Sequence, residues 1–203
     1  MSGLCGIVLA AGAGTRYGGP KALAFEPAEA AGPRGPAADP APRSWLLRAV
    51  AALHAGGCQT VLVGLGAEAA AAEAILRDAG ADAEVVTVAD WGEGVAATVR
   101  ATLRRAAQTP AAVAVLVTVD TPELPAAAVA RVAAGAGVET IARASYGGSP
   151  GHPVVVGRAH WEGVIAAVRG DRGAGVYLAA RGARAVPCDD LWSGADRDTR
   201  AGV

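Results

Sequence analysis

Residues 4–21 join two opposed backbone preferences without a linker. The run 4–10 is apolar and closes on small residues, the pattern of a buried strand. It passes directly into Ala11-Gly12-Ala13-Gly14-Thr15-Arg16-Tyr17-Gly18-Gly19-Pro20-Lys21. Glycines placed after a strand let backbone N–H groups approach an anionic ligand closely. The opening therefore predicts a strand ending in a binding loop.

The rest of the chain keeps a regular rhythm. Strands are expected at 60–63, 84–88, 112–119, 139–142, 153–156 and, as a final edge strand, 185–188. Helices are expected at 45–55, 67–78, 95–107, after Pro125, at 159–168 and at 173–180. Ser44 reads as an N-cap and Gly56-Gly57 as a stop, and Pro125 suits a first helical turn. Alternating strand and helix predict a three-layer α/β/α, Rossmann-like fold on a mostly parallel sheet with an antiparallel strand. With 203 residues, one domain is expected over 1–203. Residues 26–43 hold five of the 12 prolines, and read as a flexible Pro/Ala/Gly-rich insert or flap.

Composition narrows the function. Hydrophobic residues make up 52%, about a quarter of the chain is alanine, and aromatics are only 4%. The core must be built from Val, Leu, Ala and Gly, which fits tight helix-on-sheet packing. The net charge of −1, with 18 basic and 19 acidic residues interspersed, argues against nucleic-acid or membrane partners. No apolar run approaches the ~20 residues of a membrane span, and residues 1–10 have no basic stretch of the signal-peptide kind. Three well-separated cysteines, Cys5, Cys58 and Cys188, suggest reduced thiols and a cytoplasmic location. Lys21 is the only lysine among the 18 basic residues. It marks a position where a compact ammonium is needed and a guanidinium will not fit.

Two familiar loop chemistries fail on spacing. A P-loop needs GxxxxGK[ST], but Lys21 lies between Pro20 and Ala22. A dinucleotide fingerprint needs GxGxxG, but Gly18 falls one position late. The acid expected after the second strand is replaced by Val63-Gly64-Leu65-Gly66.

The segment from Leu9 to Lys21 instead resembles the LAAGxGTRxGxxK signature of the MobA-like nucleotidyltransferases. The resemblance implies that Leu9, Ala10, Ala11, Gly12, Gly14, Thr15 and Gly18 wrap a nucleoside triphosphate. Arg16 and Lys21 would meet its phosphates, as catalytic cations opposite the leaving pyrophosphate. Val119-Asp120-Thr121-Pro122 resembles the family's DxP motif, whose Asp coordinates Mg²⁺. A hard cation shared with phosphate oxygens suits one or two carboxylates. Asp196-Arg197-Asp198-Thr199 resembles the family's closing D-[IV]-D-T-P segment, with Arg200 in place of Pro. Either Asp196 or Asp198 is then a second metal ligand. Trp91-Gly92-Glu93-Gly94-Val95-Ala96-Ala97-Thr98 resembles WxxGxxxS, with Thr98 for Ser, which brings Gly94 and Thr98 to the nucleotide.

Two further stretches resemble the molybdenum cofactor cytidylyltransferase branch. Gly151-His152-Pro153-Val154, with Gly157-Arg158 and Trp161, is similar to GHPV[LV]xGRxxW. Gly170-Asp171-Arg172-Gly173-Ala174 is similar to GDxGAR, but Gly175 replaces the terminal Arg. The resemblance implies that His152, Asp171 and Arg172 lie on the acceptor side. His54 and His160 read as structural. The expected activity is Mg²⁺-dependent transfer of a nucleoside monophosphate, CMP from CTP favoured and GTP the alternative, to a phosphate-bearing acceptor such as molybdopterin. A molybdenum hydroxylase is then a further partner. Two other readings stay open: a nicotinamide-dependent oxidoreductase, and a non-catalytic maturation factor that delivers cofactor.

Overall fold

The computed structural model describes residues 3–26 and 43–198. Its seven-stranded sheet comprises β1 (Leu4–Leu9), β2 (Thr60–Leu65), β3 (Glu84–Thr87), β4 (Val113–Thr118), β5 (Ile141–Tyr146), β6 (Ser149–Gly157) and β7 (Arg184–Pro187). The order is β3-β2-β1-β4-β6-β5-β7. All neighbours pair in parallel except β6, which runs against both β4 and β5. The mostly parallel sheet with one reversed strand matches expectation, and β7 does lie at an edge.

The core has two sides because the strands alternate. Val8, Val61, Val63, Val115 and Val117 face one layer, with Leu46, Leu53 and Val129 of α1 (Trp45–Ala55) and α4 (Ala126–Ala133). Ile7, Leu62 and Leu116 face the other, with Leu103 of α3 (Val95–Ala106), Val164 of α5 (Trp161–Ala167) and Leu178 of α6 (Gly175–Ala180). Helix α2 (Ala69–Asp78) joins the first layer through Ala72 and Leu76. Strands buried on both faces require unbroken apolar runs, which is why β1, β2 and β4 were legible.

Few aromatics are available, so the helices close in on backbone. A Cβ at Gly6 would come within 2.9 Å of Leu53, and one at Gly64 within 2.5 Å of Thr98. The Gly64 position, where a dinucleotide fold begins its approach to an acid, here serves helix packing. Ser44 caps α1 as expected, its Oγ accepting from the Leu47 amide at 3.4 Å. The insert expected at 26–43 lies, apart from Glu26 and Arg43, outside the described residues. Those two are joined at its neck: the Glu26 amide donates to the Arg43 carbonyl at 2.8 Å, and the Arg43 guanidinium returns to the Glu26 carbonyl. No helix among the described residues is long and apolar enough to cross a membrane. The three cysteines are free and buried, and desolvation pushes Cys5 up to about 11 and Cys58 up to about 12.

Candidate active site

The glycine loop, Lys21 and the acidic residues Asp120, Asp196 and Asp198 gather at the C-terminal edge of β1 and β4, where open α/β sheets bind ligands. The loop after β1 is folded around one carbonyl. The amides of Tyr17, Gly18 and Gly19 all donate to the Gly14 oxygen, at 2.9, 2.9 and 3.1 Å. Gly14 has φ of +59°, and a Cβ there would lie 2.0 Å from the Gly19 oxygen. Gly12 differs: a Cβ there meets nothing within 4 Å, because it faces the cavity. The amides of residues 12–16 make no hydrogen bond among the described residues. They form a set of free donors of the kind that binds phosphate. Gly18 is part of the turn but does not line the cavity.

Lys21 opens a short 3-10 turn, and its ammonium spans two acids. Nζ lies 3.0 Å from Asp120 and 2.8 Å from Asp198. Burial works against the ammonium, but the bonds to Asp198 and Asp120 outweigh it and hold the Lys21 pKa above its ordinary value. The same ammonium holds the Asp198 carboxyl below the usual range. Asp120 follows β4, and its carbonyl accepts from the Arg197 amide at 2.8 Å. That bond lays residues 196–198 across the strand end. The Arg197 guanidinium bonds Glu123 and anchors the same segment. One oxygen from each of Asp120, Asp196 and Asp198 then lies within 4.8 Å of the others. This all-carboxylate donor set fits a hard divalent cation.

Two cavities meet at the triad. The first, about 510 Å³, is lined by the loop residues Leu9 to Tyr17, by Lys21, and by Trp91, Gly92, Gly94 and Thr98. The second, about 420 Å³, is lined by apolar Val99, Leu116, Val154 and Leu178, with Arg143, His152 and Thr121. Leu9, Val95, Thr118 and Asp120 line both, whereas Asp198 lines only the first and Asp196 only the second.

The reversed strand supplies the second cavity. Because β6 runs against β4, its beginning lies beside the end of β4. His152 Nδ1–H donates to the Leu116 carbonyl at 3.2 Å, and its own carbonyl accepts from the Tyr146 hydroxyl at 2.8 Å. Burial lowers the His152 pKa, against the bond to Leu116 and the nearby charges of Asp120 and Asp196. Other members of the same motif do not reach the site. Arg158 donates to the carbonyls of Ala107, Thr109 and Ala111, and Trp161 is buried beside β6. His160 contacts Tyr177 and Glu139, and His54 contacts Cys58 and Asp82, all in structural roles.

Asp171 and Arg172, both expected on the acceptor side, do not line the cavity that holds His152. Asp171 lines the glycine-loop cavity, not the second one. The reason is Gly94 (φ +94°), which lets the turn at 170–171 dock on the start of α3: a Cβ on Gly94 would fall 2.4 Å from Asp171 Oδ1. Arg172 lines neither cavity. The cation that does line the second cavity is Arg143, whose side chain makes no hydrogen bond or ion pair among the described residues. Nothing in the sequence marked it, since it sits mid-strand in β5 and only the β5–β6 pairing brings it there. Arg100 was also unmarked. It bonds Asp90 at 3.1 Å and Glu93 at 2.6 Å, and so ties down the 3-10 turn Trp91–Glu93.

The fold is that of an α/β nucleotidyltransferase. The chain belongs to the MobA-like NTP transferase domain family, whose model matches residues 6–186. Among solved structures it is similar to Rv0371c from Mycobacterium tuberculosis H37Rv, at 26% identity and a TM-score of 0.70, covering 98% of this chain and 94% of that one. A second structure of Rv0371c, in complex with manganese, matches at 24% identity and a TM-score of 0.64, covering 92% of this chain and 89% of that one. A nucleotidyl transferase from Methanothermobacter thermautotroptrophicus, Mth528, shares the fold at 18% identity and a TM-score of 0.74, covering 97% and 92%. No curated protein sequence matches the chain.

Proposed function

We infer that this chain transfers a nucleoside monophosphate from an NTP, CTP in the first instance and GTP as the alternative, to a phosphate-bearing acceptor of the molybdopterin kind. The observation that carries this reading is the position of Asp120, which lines both cavities at their join. The glycine-loop cavity suits the donor and the second cavity the acceptor. Arg143 there is a cation for the acceptor phosphate, in the role left vacant where Gly175 departs from the branch motif.

An acceptor phosphate oxygen forms the new bond to the α-phosphorus, while the bond from that phosphorus to the oxygen leading to the β-phosphate breaks. No side-chain nucleophile is required, because the acceptor is already an anion, and catalysis rests on positioning and charge. The amides of residues 12–16, with Arg16 and Lys21, take the charge that develops on the leaving pyrophosphate. Asp120, Asp196 and Asp198 would hold Mg²⁺, which supplies charge neutralisation between the phosphates. His152, held neutral by burial, donates to the Leu116 carbonyl and shapes the acceptor wall. A molybdenum hydroxylase is the natural recipient of such a product.

Calorimetric titration of CTP, GTP, ATP, UTP and NADPH, with and without Mg²⁺, tests this reading. One NTP should bind in a Mg²⁺-dependent way, and Asp120→Asn should lose that dependence. Binding of NADPH alone would replace the transferase with a reductase. Nucleotide binding without turnover on any phosphate acceptor would point to cofactor delivery.

A further inference from the structure

We propose that Asp171 reads the ribose of the donor nucleotide, and so makes the protein selective for ribonucleotides. The inference rests on the transferase reading above and deepens it.

The turn that carries Asp171 is built to hold it in place. Gly170 has φ of +55°, the Arg172 amide donates to the Arg169 carbonyl at 3.1 Å, and the Ala96 amide in the first turn of α3 donates to the Gly170 carbonyl at 3.0 Å. Asp171 is thereby presented to the glycine-loop cavity beside Gly94. Its carboxylate makes no hydrogen bond or ion pair among the described residues, and it is not part of the Asp120–Asp196–Asp198 cluster.

A carboxylate without a counter-charge repels phosphate. In a cavity that takes a triphosphate, it must face the part of the ligand that is neutral and carries donors. Arg16, Lys21 and the free loop amides mark the phosphate end, which leaves the sugar hydroxyls and the base. The order of groups along a nucleotide decides between them. The α-phosphorus has to lie at the join of the two cavities, where Leu9, Val95, Thr118 and Asp120 line both. The ribose is the next group along, and the base is further still. Asp171 lines the donor cavity against Gly94, and the chain that follows it, Gly173, Ala174 and Gly175, lines the acceptor cavity, with Gly173 against Val95 at the join. Asp171 is therefore at the level of the sugar, where a carboxylate oxygen can accept from a ribose hydroxyl, as an acid does in dinucleotide sites.

The test is titration of CTP, GTP and their 2′-deoxy counterparts, with Mg²⁺, into the wild-type protein, Asp171→Asn and Asp171→Ala. The wild type should prefer the ribonucleotide by about tenfold or more, the range for one hydrogen bond to a charged group. Both variants should bring the ratio to within about twofold, mainly by weakening ribonucleotide binding, with melting temperatures unchanged. A wild-type ratio near one, or an unaltered ratio in the variants, overturns the proposal while leaving the transferase reading intact. A changed ranking of CTP against GTP with the deoxy ratio preserved also overturns it, and assigns Asp171 to the base. Failure of the wild type to bind any of these nucleotides overturns both.

Discussion

Replacing Lys21 by methionine should strengthen divalent-cation binding while weakening nucleotide transfer. The ammonium lies 3.0 Å from Asp120 and 2.8 Å from Asp198, so it competes with an incoming cation for the same oxygens. Asp198 has 51% of its side chain exposed, which calls for water-like screening. Removing a unit charge about 4 Å from a divalent ion then relieves about 2 kcal/mol of repulsion. At about 1.4 kcal/mol per decade this is about 30-fold in Kd. Methionine retains an unbranched apolar stem at a side chain that is only 12% exposed, so packing of the turn is preserved. Mn²⁺ titrated calorimetrically into the nucleotide-free proteins should bind the variant about 30-fold more tightly. Unchanged or weaker binding would refute the competition, and with it the assignment of the triad as the cation site. With nucleotide present the direction reverses. Loss of the ammonium opposite the leaving pyrophosphate should slow transfer by about 10²–10³-fold, the range for one preorganised donor.

Gly14→Ala and Gly12→Ala should separate folding from binding. At Gly14 the left-handed backbone alone costs about 1–2 kcal/mol, and the methyl group would strike the Gly19 carbonyl. Both the melting temperature and NTP affinity should therefore fall. At Gly12 the methyl has open space, so melting should be unchanged while NTP affinity drops; wild-type affinity in Gly12→Ala would show that phosphate does not approach that backbone. His152 governs a pH effect. Its folded pKa lies below the ordinary 6.5, so the unfolded chain takes up the proton more readily. Its contribution to stability is full above about pH 6.5 and is lost as pH falls from there through the folded pKa. In His152→Gln, the melting-temperature difference between about pH 7.5 and about pH 5.5 should shrink, and an equal difference would refute the role.

What the sequence disclosed follows from how local each signal is. β1, β2 and β4 are unbroken apolar runs, and burial on both faces of a parallel sheet demands that pattern. The glycine loop was legible because backbone geometry is set by neighbouring residues: φ > 0 at Gly14 and Gly18 calls for glycine at those positions. The lone lysine was legible for a different reason, since an arginine-dominated composition makes a surviving Lys21 conspicuous. Boundaries were less exact. β5 and β6 extend well beyond 139–142 and 153–156, because the hairpin through Gly147 and Gly148 lengthens the pairing at its polar end.

The placement of the site residues was decided only by tertiary structure. Sequence by itself determined the sheet's first strand, its loop and the acidic residue types, since each rests on neighbours along the chain. It left Asp196 and Asp198 as alternatives. The fold brings both to Asp120, one on each cavity, because the Asp120–Arg197 backbone bond lays the segment across the strand end. The motif resemblance put Asp171 on the acceptor side, but the missing Cβ of Gly94 lets its turn dock against the glycine-loop cavity. Arg143 carried no signal at all, since a charged residue in an alternating strand is ordinary until the neighbouring strand is known. Contacts between residues far apart in sequence depend on strand order and direction, here on the reversal of β6, and no local pattern encodes which strand becomes whose neighbour.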